Sequence, residues 1–175
     1  MVTKNCRIEV IDSELGAGAQ ILLAIFATQI ARTGGNLDQI VDQVKKAIPR
    51  IHIRMTFDTL EYLRRGGHLG KAQAFLGSLL KVNPVLGIKD GEAFPIARPH
   101  NRAQAIDILV DFAKSFRHIE ALAIEDATTP DELEILAQNL KDLVPPEHFY
   151  RSKVSPVAEV HVGPHVLAVS ILEGE

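Results

Sequence analysis

The segment from Asp58 to Gly91 constrains the fold most, because it joins a capped helix, a double-glycine turn, an apolar segment and a hairpin without a spacer. Asp58 is placed to cap a helix, with Glu61 three residues later as its capping-box partner. Two arginines end that helix, where cations are favoured, and a pair of glycines stops it. The Asp-Gly dipeptide at Asp90 predicts a tight hairpin turn. We expect these elements to form one wall of a binding site.

Residues 51–175 mix helical and strand patterns, which predicts an α+β domain. Strands are predicted at residues 52–57, on both sides of Asp90, and at residues 119–125, 148–154, 158–161 and 166–172. Helices are predicted to start at Asp58, Lys71, Asn101 and Thr129, and the last of them to run to about Leu143. Pro95 places its strand at a sheet edge or bulge. Hairpins among helices favour a mixed, largely antiparallel sheet with packed helices over a doubly wound one.

The first fifty residues predict a strand, a helix and a second helix. The strand covers residues 7–11, the first helix residues 16–32, and the second, capped by Asn36, residues 37–48. One strand cannot form a sheet, and a helix that is apolar on most sides needs cover. We therefore expect residues 1–50 to be the remnant of an N-terminal α/β domain that precedes the domain of residues 51–175.

Composition excludes several classes of protein. With 46% hydrophobic and 23% charged residues the chain is globular, and a net charge of −3 argues against a general binder of nucleic acid or anionic membranes. Cys6 is the single cysteine, so no internal disulfide can form. No signal-peptide pattern is present at the N-terminus, and the apolar run at residues 21–31 is too short to cross a bilayer. We expect a cytoplasmic protein.

The turn at residues 64–68, with the sequence Arg-Arg-Gly-Gly-His, is a candidate anion-binding corner. Its glycines permit close backbone approach, and its cations offer charge-assisted hydrogen bonds. The alternative is that the arginines satisfy carbonyl groups at the helix end. A nucleotide P-loop is excluded, because only three residues separate Gly66 from Gly70 and Ala72 replaces the required Ser or Thr.

Several motifs occur together in order. They are Asp-Ser at Asp12, Asp-Thr-Leu-Glu-Tyr-Leu at Asp58, Arg-Gly-Gly at Arg65, Gly-Ser-Leu-Leu at Gly77, Asn-Pro-Val-Leu at Asn83, Asp-Gly at Asp90, Arg102, and His-Val-Gly-Pro at His161. In this order and spacing they resemble the DegV family of bacterial fatty-acid-binding proteins, over nearly all of the chain. Agreement among separate motifs makes the resemblance specific.

The resemblance implies a binding protein that has no chemistry of its own and needs no cofactor. It would hold a long-chain fatty acid between apolar helices and sheet, and present the carboxylate to a partner fatty acid kinase. Proteins of this family are longer at the N-terminus, where a first domain supplies Thr and Ser ligands for the carboxylate. No counterpart of those residues is present in this sequence, so we expect weak or no lipid binding by this chain alone.

The ligand-binding residues that the resemblance implies are Ser13, Arg65, Gly67, His68, Leu76, Leu79, His161 and Gly163. His161 matches a histidine of the family's carboxylate network, although a lone strand histidine is more often structural. His68 stands where the family usually has an arginine. Leu76 and Leu79 would form apolar wall, as ordinary core residues also would. Ser13 could equally cap the following helix.

Basic residues follow the hairpin, where the family has a surface implicated in meeting a kinase or the membrane. Arg98, His100 and Arg102 are therefore partner-binding candidates, and a solvated basic turn is the alternative. His161 and His165 flank a Gly-Pro turn, but no carboxylate or thiol cluster accompanies them, so no metal site is predicted.

Two other functions compete with lipid binding. The chain could be an interaction protein that forms a homodimer through the uncovered helix at residues 16–32. Less convincingly, it could be a small enzyme that uses His161, His68 or Asp12 in acid-base chemistry, but no nucleophile constellation is visible.

Overall fold

Six strands form one sheet, and helices cover both of its faces. The structure is a computed structural model that describes residues 6–69 and 83–175. The strands are β1 (Ile51–Thr56), β2 (Val85–Lys89), β3 (Glu92–Ala97), β4 (Ile119–Asp126), β5 (Phe149–Lys153) and β6 (Leu167–Glu173). The helices are α1 (Ala17–Arg32), α2 (Leu37–Ala47), α3 (Glu61–Arg65), α4 (Arg102–Lys114), α5 (Pro130–Leu140) and α6 (Pro156–Val162), with 3-10 turns at Ile48–Arg50 and Pro146–His148.

The strand order is β3-β2-β1-β6-β4-β5. Only β4 and β5 pair in parallel, and the other four pairings are antiparallel. The mixed, largely antiparallel sheet expected from the sequence is therefore confirmed. The strand that contains Pro95 lies at one edge, where its missing N–H costs no hydrogen bond of a central ladder.

Strand alternation divides the apolar core into two layers. In β6, Leu167, Val169 and Ile171 face α4 and α5, whereas Ala168 and Leu172 face α1 and α2. The same period of two places every second residue of β1 and β4 under α1. The layer beneath α1 also receives α3 and α6, and it contains the candidate site.

Local sequence signals account for several boundaries. Asn36 and Gln39 form a reciprocal capping box at the start of α2, and the Asn101 side chain accepts a hydrogen bond from the Gln104 backbone at the start of α4. Asp90 and Gly91 have φ angles of 51° and 71°, as a tight primed turn requires.

Residues 158–161 are helical, so the strand expected there is wrong. Ser155 caps α6 by accepting a hydrogen bond from the Ala158 backbone, and Pro156 occupies the first helical position. The alternation of valines with other residues favoured a strand, but the Ser-Pro start determines the outcome. His161 consequently lies on a helix.

Residues 7–11 form no strand either. Arg7 pairs with Asp38 of α2 at 2.8 Å, which holds this segment beside a helix, and Val10 is 92% exposed. Without a neighbouring strand to exchange hydrogen bonds, an extended segment is not part of a sheet.

Two helix boundaries differ from those expected. Asp58 does not cap α3: Thr59 Oγ1 accepts from the Glu61 backbone, while the Asp58 carboxylate lies 2.8 Å from His165 Nδ1. The helix expected to reach Leu143 ends at Leu140. The helix predicted from Lys71 lies outside the described residues.

No helix in the described part of the chain is long and apolar enough to cross a membrane.

Candidate functional site

A cavity of about 460 Å³ opens between the sheet and the two short helices α3 and α6. Apolar side chains from four elements line its interior, namely Ile53, Met55, Leu63, Leu86 and Val162. The polar groups on its lining include two imidazoles, those of His68 and His161. An apolar interior with a few convergent polar groups is the usual form of a small-molecule site.

The two imidazoles meet at one corner of this cavity. His68 Nε2 lies 3.2 Å from His161 Nδ1, and the ring planes are nearly perpendicular at 82°. One nitrogen of this contact donates and the other accepts, so the tautomers of the two rings are coupled. Within residues 6–69 and 83–175, the remaining nitrogens, His68 Nδ1 and His161 Nε2, make no hydrogen bond. We name this feature the histidine corner.

The double glycine directs His68 to this position. After α3, the His68 N–H donates to the Leu63 carbonyl and the Gly67 N–H to the Arg64 carbonyl, which is the Schellman pattern. Gly67 has a φ of 74°, a conformation that favours glycine. Gly66 lies beneath both rings, and a Cβ there would be 2.7 Å from His68 Cδ2 and 3.0 Å from His161 Nδ1. The Gly-Gly pair thus ends the helix and leaves room for the imidazoles.

The arginines of this turn pair with a carboxylate of their own helix. The sequence had suggested that they would bind an anion or satisfy carbonyl groups at the helix end. Arg64 Nη2 and Arg65 Nε lie 2.7 and 2.8 Å from Glu61 Oε1 on the exposed face of α3. Hydrogen bonds from Arg64 and then Arg65 lower the pKa of Glu61 to about 2. Arg65 does not line the cavity, whereas Gly67 does.

Gly163 positions α6 without lining the cavity. Its φ is 88°, and a Cβ at this residue would be 2.6 Å from Tyr62 Cδ2. The glycine therefore lets the end of α6 pack against α3, which brings His161 to His68.

The other ligand-binding candidates lie elsewhere. Ser13 Oγ accepts a hydrogen bond from the Leu15 backbone, and Ser13 borders a separate cavity beside Arg54. Leu76 and Leu79 lie outside the described residues. The structure therefore brings together His68, Gly67 and His161 from the expected set.

The basic partner-binding candidates are divided between two environments. Arg98 and His100 border a surface depression of about 390 Å³ next to α4. Arg102 instead forms a two-pronged ion pair with Glu132, with Nη2 2.7 Å from Oε2, and also donates to the His165 carbonyl. Arg102 thus joins α4 to α5.

Sequence reasoning missed a buried carboxylate beside the cavity. Glu125 is 1% exposed, and it accepts hydrogen bonds from the Gly18 backbone and, at 2.9 Å, from Ser152 Oγ. Burial raises the pKa of Glu125, and the two hydrogen bonds oppose that shift. The contact fixes the start of α1, where Gly16 and Ala17 line the cavity and Ala17 has a φ of 54°. Strand alternation in β4 could not single it out, because residues on both faces of this strand are buried.

No group of three or more His, Cys, Asp or Glu residues is arranged to hold a metal ion within residues 6–69 and 83–175. The candidate site is an apolar cavity whose lining includes the imidazole pair and Glu92.

The chain is similar to known proteins over almost its whole length. The chain matches the family model described as "Uncharacterised protein, DegV family" over residues 1–174. A DegV domain-containing protein of Streptococcus pyogenes serotype M3 is 34% identical over 172 residues, which cover 94% of this chain and 58% of that protein.

Solved structures show the same fold. A DegV family protein from Thermus thermophilus, described by its fatty acid binding, superposes with a TM-score of 0.85 at 26% identity, covering 97% of this chain and 62% of that one. DegV from Bacillus subtilis, described as a fatty acid binding protein, superposes with a TM-score of 0.75 at 26% identity, covering 93% and 60%. The chain spans about three fifths of the length of these relatives. A family model that matches almost every residue, together with this shared fold, shows that the chain belongs to the DegV family.

Proposed function

We propose that this chain is the part of a fatty-acid-binding protein that encloses one side of the acyl chain and contacts the carboxylate through the histidine corner. The observation that carries the proposal is the apolar cavity that ends at His68 and His161. The relatives described as fatty acid binding proteins support the same ligand class.

The lining suits an acyl chain because it is built from aliphatic side chains of the sheet and of the two short helices. Each buried methylene contributes about 0.8 kcal/mol, so a long tail supplies most of the affinity and the polar corner orients the head. Because the two tautomers are coupled, one of His161 Nε2 and His68 Nδ1 carries a proton and would donate it to the carboxylate, while the other is an acceptor.

Binding by this chain alone is expected to be weak. An imidazole offers fewer hydrogen-bond donors than a guanidinium, so His68 holds a carboxylate less firmly than an arginine would. Part of the carboxylate's coordination would come from an N-terminal region such as the longer relatives have, and residues 1–50 would belong to that region's domain. In that arrangement α1 bridges the two parts of the site through Gly16 and Ala17.

Native mass spectrometry of detergent-free protein with added oleate tests this proposal. We expect little adduct on the 175-residue chain, and a stoichiometric adduct on a chimera that carries the N-terminal region of the Streptococcus pyogenes relative. His161→Ala should reduce oleate affinity in the chimera by about tenfold, as the loss of one hydrogen bond to a charged group does. His118→Ala is the matched control, because His118 is exposed and contacts the Glu175 carbonyl far from the cavity. A chimera that binds no oleate, or that binds it equally after His161→Ala, would overturn the proposal.

The carboxylate would be presented to a fatty acid kinase subunit in the cytoplasm, and the basic depression of Arg98 and His100 is the proposed contact with that partner or, transiently, with the membrane. The double change Arg98→Glu and His100→Glu should reduce phosphorylation of bound oleate by the kinase without changing oleate affinity. Unchanged phosphorylation would exclude this surface.

A homodimer formed through α1 is a second proposal. Ile21 of α1 is 38% exposed, and Val160 of the neighbouring α6 is 71% exposed. Light scattering decides it, because a mass that stays that of a monomer at every concentration would contradict a dimer.

A further inference from the structure

Arg54 of β1 is held in an unusual environment on the face of the sheet opposite the histidine corner. Its guanidinium carbon lies 4.6 Å from the ring centre of Phe112 and 5.2 Å from that of Phe94. Gly87 on the neighbouring strand makes room for it, since a Cβ there would be 2.6 Å from Arg54 Nη1. Two aromatic rings and a glycine therefore fix the position of the guanidinium.

No carboxylate in the described part of the chain pairs with this cation. Its one hydrogen bond there runs from Nη1 to the Ile53 carbonyl, at 2.9 Å. Burial alone lowers the pKa of Arg54, with no compensating acidic neighbour. Arg54 lines a cavity, and within residues 6–69 and 83–175 neither Nε nor Nη2 donates a hydrogen bond. Partial burial of a cation without a counter-charge is costly, and the two rings offset part of that cost.

The guanidinium borders a second cavity of about 460 Å³. Strand β1 pairs with β2 only from Arg54 to Thr56, so the hairpin of β2 and β3 separates from β1 toward Ile51, the start of that strand. The divergence opens a space that contains apolar walls from Ile48, Ile51 and Phe94 and a second cation, Lys89. A cavity of this size fits a small organic molecule.

We propose that Arg54 and this cavity form a second binding site, separate from the histidine corner, for a small molecule that carries one carboxylate or phosphate group on an apolar body. Arginine presents a planar set of N–H donors that matches both oxyanions, and here the rings have already fixed its orientation. The apolar walls would contact the rest of the ligand.

Other charges around the cavity restrict the ligand to one anionic group. Glu14 and Asp90 also border the space, and His52 is engaged with Glu173 at 3.1 Å. A second anionic group on the ligand would meet these carboxylates, whereas an apolar body would not.

The test is a titration of the whole chain with inorganic phosphate and, separately, with hexanoate, at constant ionic strength set by chloride. The probe is the Nε–H resonance of Arg54, which two ring currents displace from those of other arginines. We expect a saturable shift with at least one oxyanion. The ring resonances of His161 report on the histidine corner in the same titration, so failure of one site is distinguished from failure of the other. A shift that saturates only with phosphate assigns the site to phosphate ligands, and one that saturates only with hexanoate assigns it to carboxylates.

Variants complete the test, with affinity read from the backbone amide resonance of Lys89, a lining residue that every variant keeps. Arg54→Met keeps the length of the side chain and should weaken the saturating anion by about 10- to 100-fold, the range for hydrogen bonds to charged groups. Arg54→Lys keeps the charge without the planar donors, and its affinity for the anion should lie between those of wild type and Arg54→Met. Arg151→Met is the control, because Arg151 is exposed and paired with Glu134 on another part of the surface. A shift that stays linear for both oxyanions, or an affinity unchanged by Arg54→Met, would overturn the proposal.

Discussion

His68 Nε2 lies 3.2 Å from His161 Nδ1, although 93 residues separate the two histidines in the chain. The contact joins the end of α3 to α6, and Gly66 lies directly beneath it. The geometry of this corner therefore depends on two glycines that act in different ways, one by its small size and one by its backbone angle.

Gly66→Ala should displace the imidazoles with little loss of stability. The new Cβ would lie 2.7 Å from His68 Cδ2 and 3.0 Å from His161 Nδ1, and the exposed His68 ring can rotate away. Since Gly66 has a φ of −75°, the backbone itself accepts alanine. We expect the His68 and His161 ring resonances to shift in two-dimensional NMR, while the free energy of unfolding changes by less than about 1 kcal/mol.

Gly67→Ala is the matched control, and it should show the opposite pattern. Gly67 has a φ of 74°, and nothing lies within 4 Å of a Cβ placed there. We expect a loss of about 1–2 kcal/mol from the left-handed conformation, with the imidazole contact retained. If Gly66→Ala leaves both ring spectra unchanged, the histidine corner is not packed on Gly66.

Glu125→Gln should stabilise the protein at alkaline pH. Burial raises the pKa of Glu125 above its ordinary 4.5, so the folded state holds a proton that the unfolded state has lost. Stability therefore falls as pH rises from 4.5 through the raised pKa. Glutamine keeps an acceptor for the Gly18 N–H without a buried charge. Thermal unfolding should give a higher Tm for the variant at pH 8, and the difference should vanish toward pH 4.5.

Glu134→Gln is the control with the opposite sign. A hydrogen bond from Gln138 and then one from Arg151 lower the pKa of the exposed Glu134. Its contribution is present above pH 4.5 and is lost as pH falls, so this variant should gain nothing at pH 8. Equal pH profiles for wild type and Glu125→Gln would show that Glu125 is not held as a buried titrating group.

The sequence predicted those parts of the fold whose signals are local. Asn36 and Asn101 as caps, the Asp90 turn and the edge position of Pro95 each depend on a few adjacent residues. Residues 158–161 were misassigned because β-branched alternation and a Ser-Pro helix start compete within one short segment. The helical spacing of Ala158, His161 and Val162, which all line the cavity, was the signal that could have decided it.

The candidate site was only partly predictable from sequence. Gly67, His68 and His161 line one cavity, and their role in binding a ligand stays a prediction. The environments of Glu125 and Arg54 arise from pairings between distant strands and helices, which no local pattern encodes. Only the strand register identifies which charged residues are buried.

Gly163→Ala should be strongly destabilising. Gly163 has a φ of 88°, and its added Cβ would lie 2.6 Å from the ring of Tyr62. Backbone strain and overpacking together should cost about 2–4 kcal/mol, measured by urea unfolding. In a protein that already carries Tyr62→Ala, the Gly163→Ala change should cost less than it does in wild type, because the clash with the ring is already removed. Strict additivity of the two changes would contradict the packing of α6 on α3 through this glycine.

Arg102→Met should destabilise the protein, whereas His100→Ala at the exposed His100 should change stability by less than about 0.5 kcal/mol. Arg102 holds Glu132 with two-pronged hydrogen bonds, and both side chains are mostly shielded, at 20% and 24% exposure. Its loss leaves the Glu132 carboxylate without its partner, and partial solvent screening limits the expected cost to about 2 kcal/mol. Arg151→Met removes a more exposed pair, 46% and 49% exposed, and should cost less than about 1 kcal/mol. Chemical denaturation of the variants measures the differences. If Arg102→Met and Arg151→Met lower the free energy of unfolding equally, the Arg102–Glu132 pair contributes no more than an exposed ion pair and does not stabilise the junction of α4 and α5.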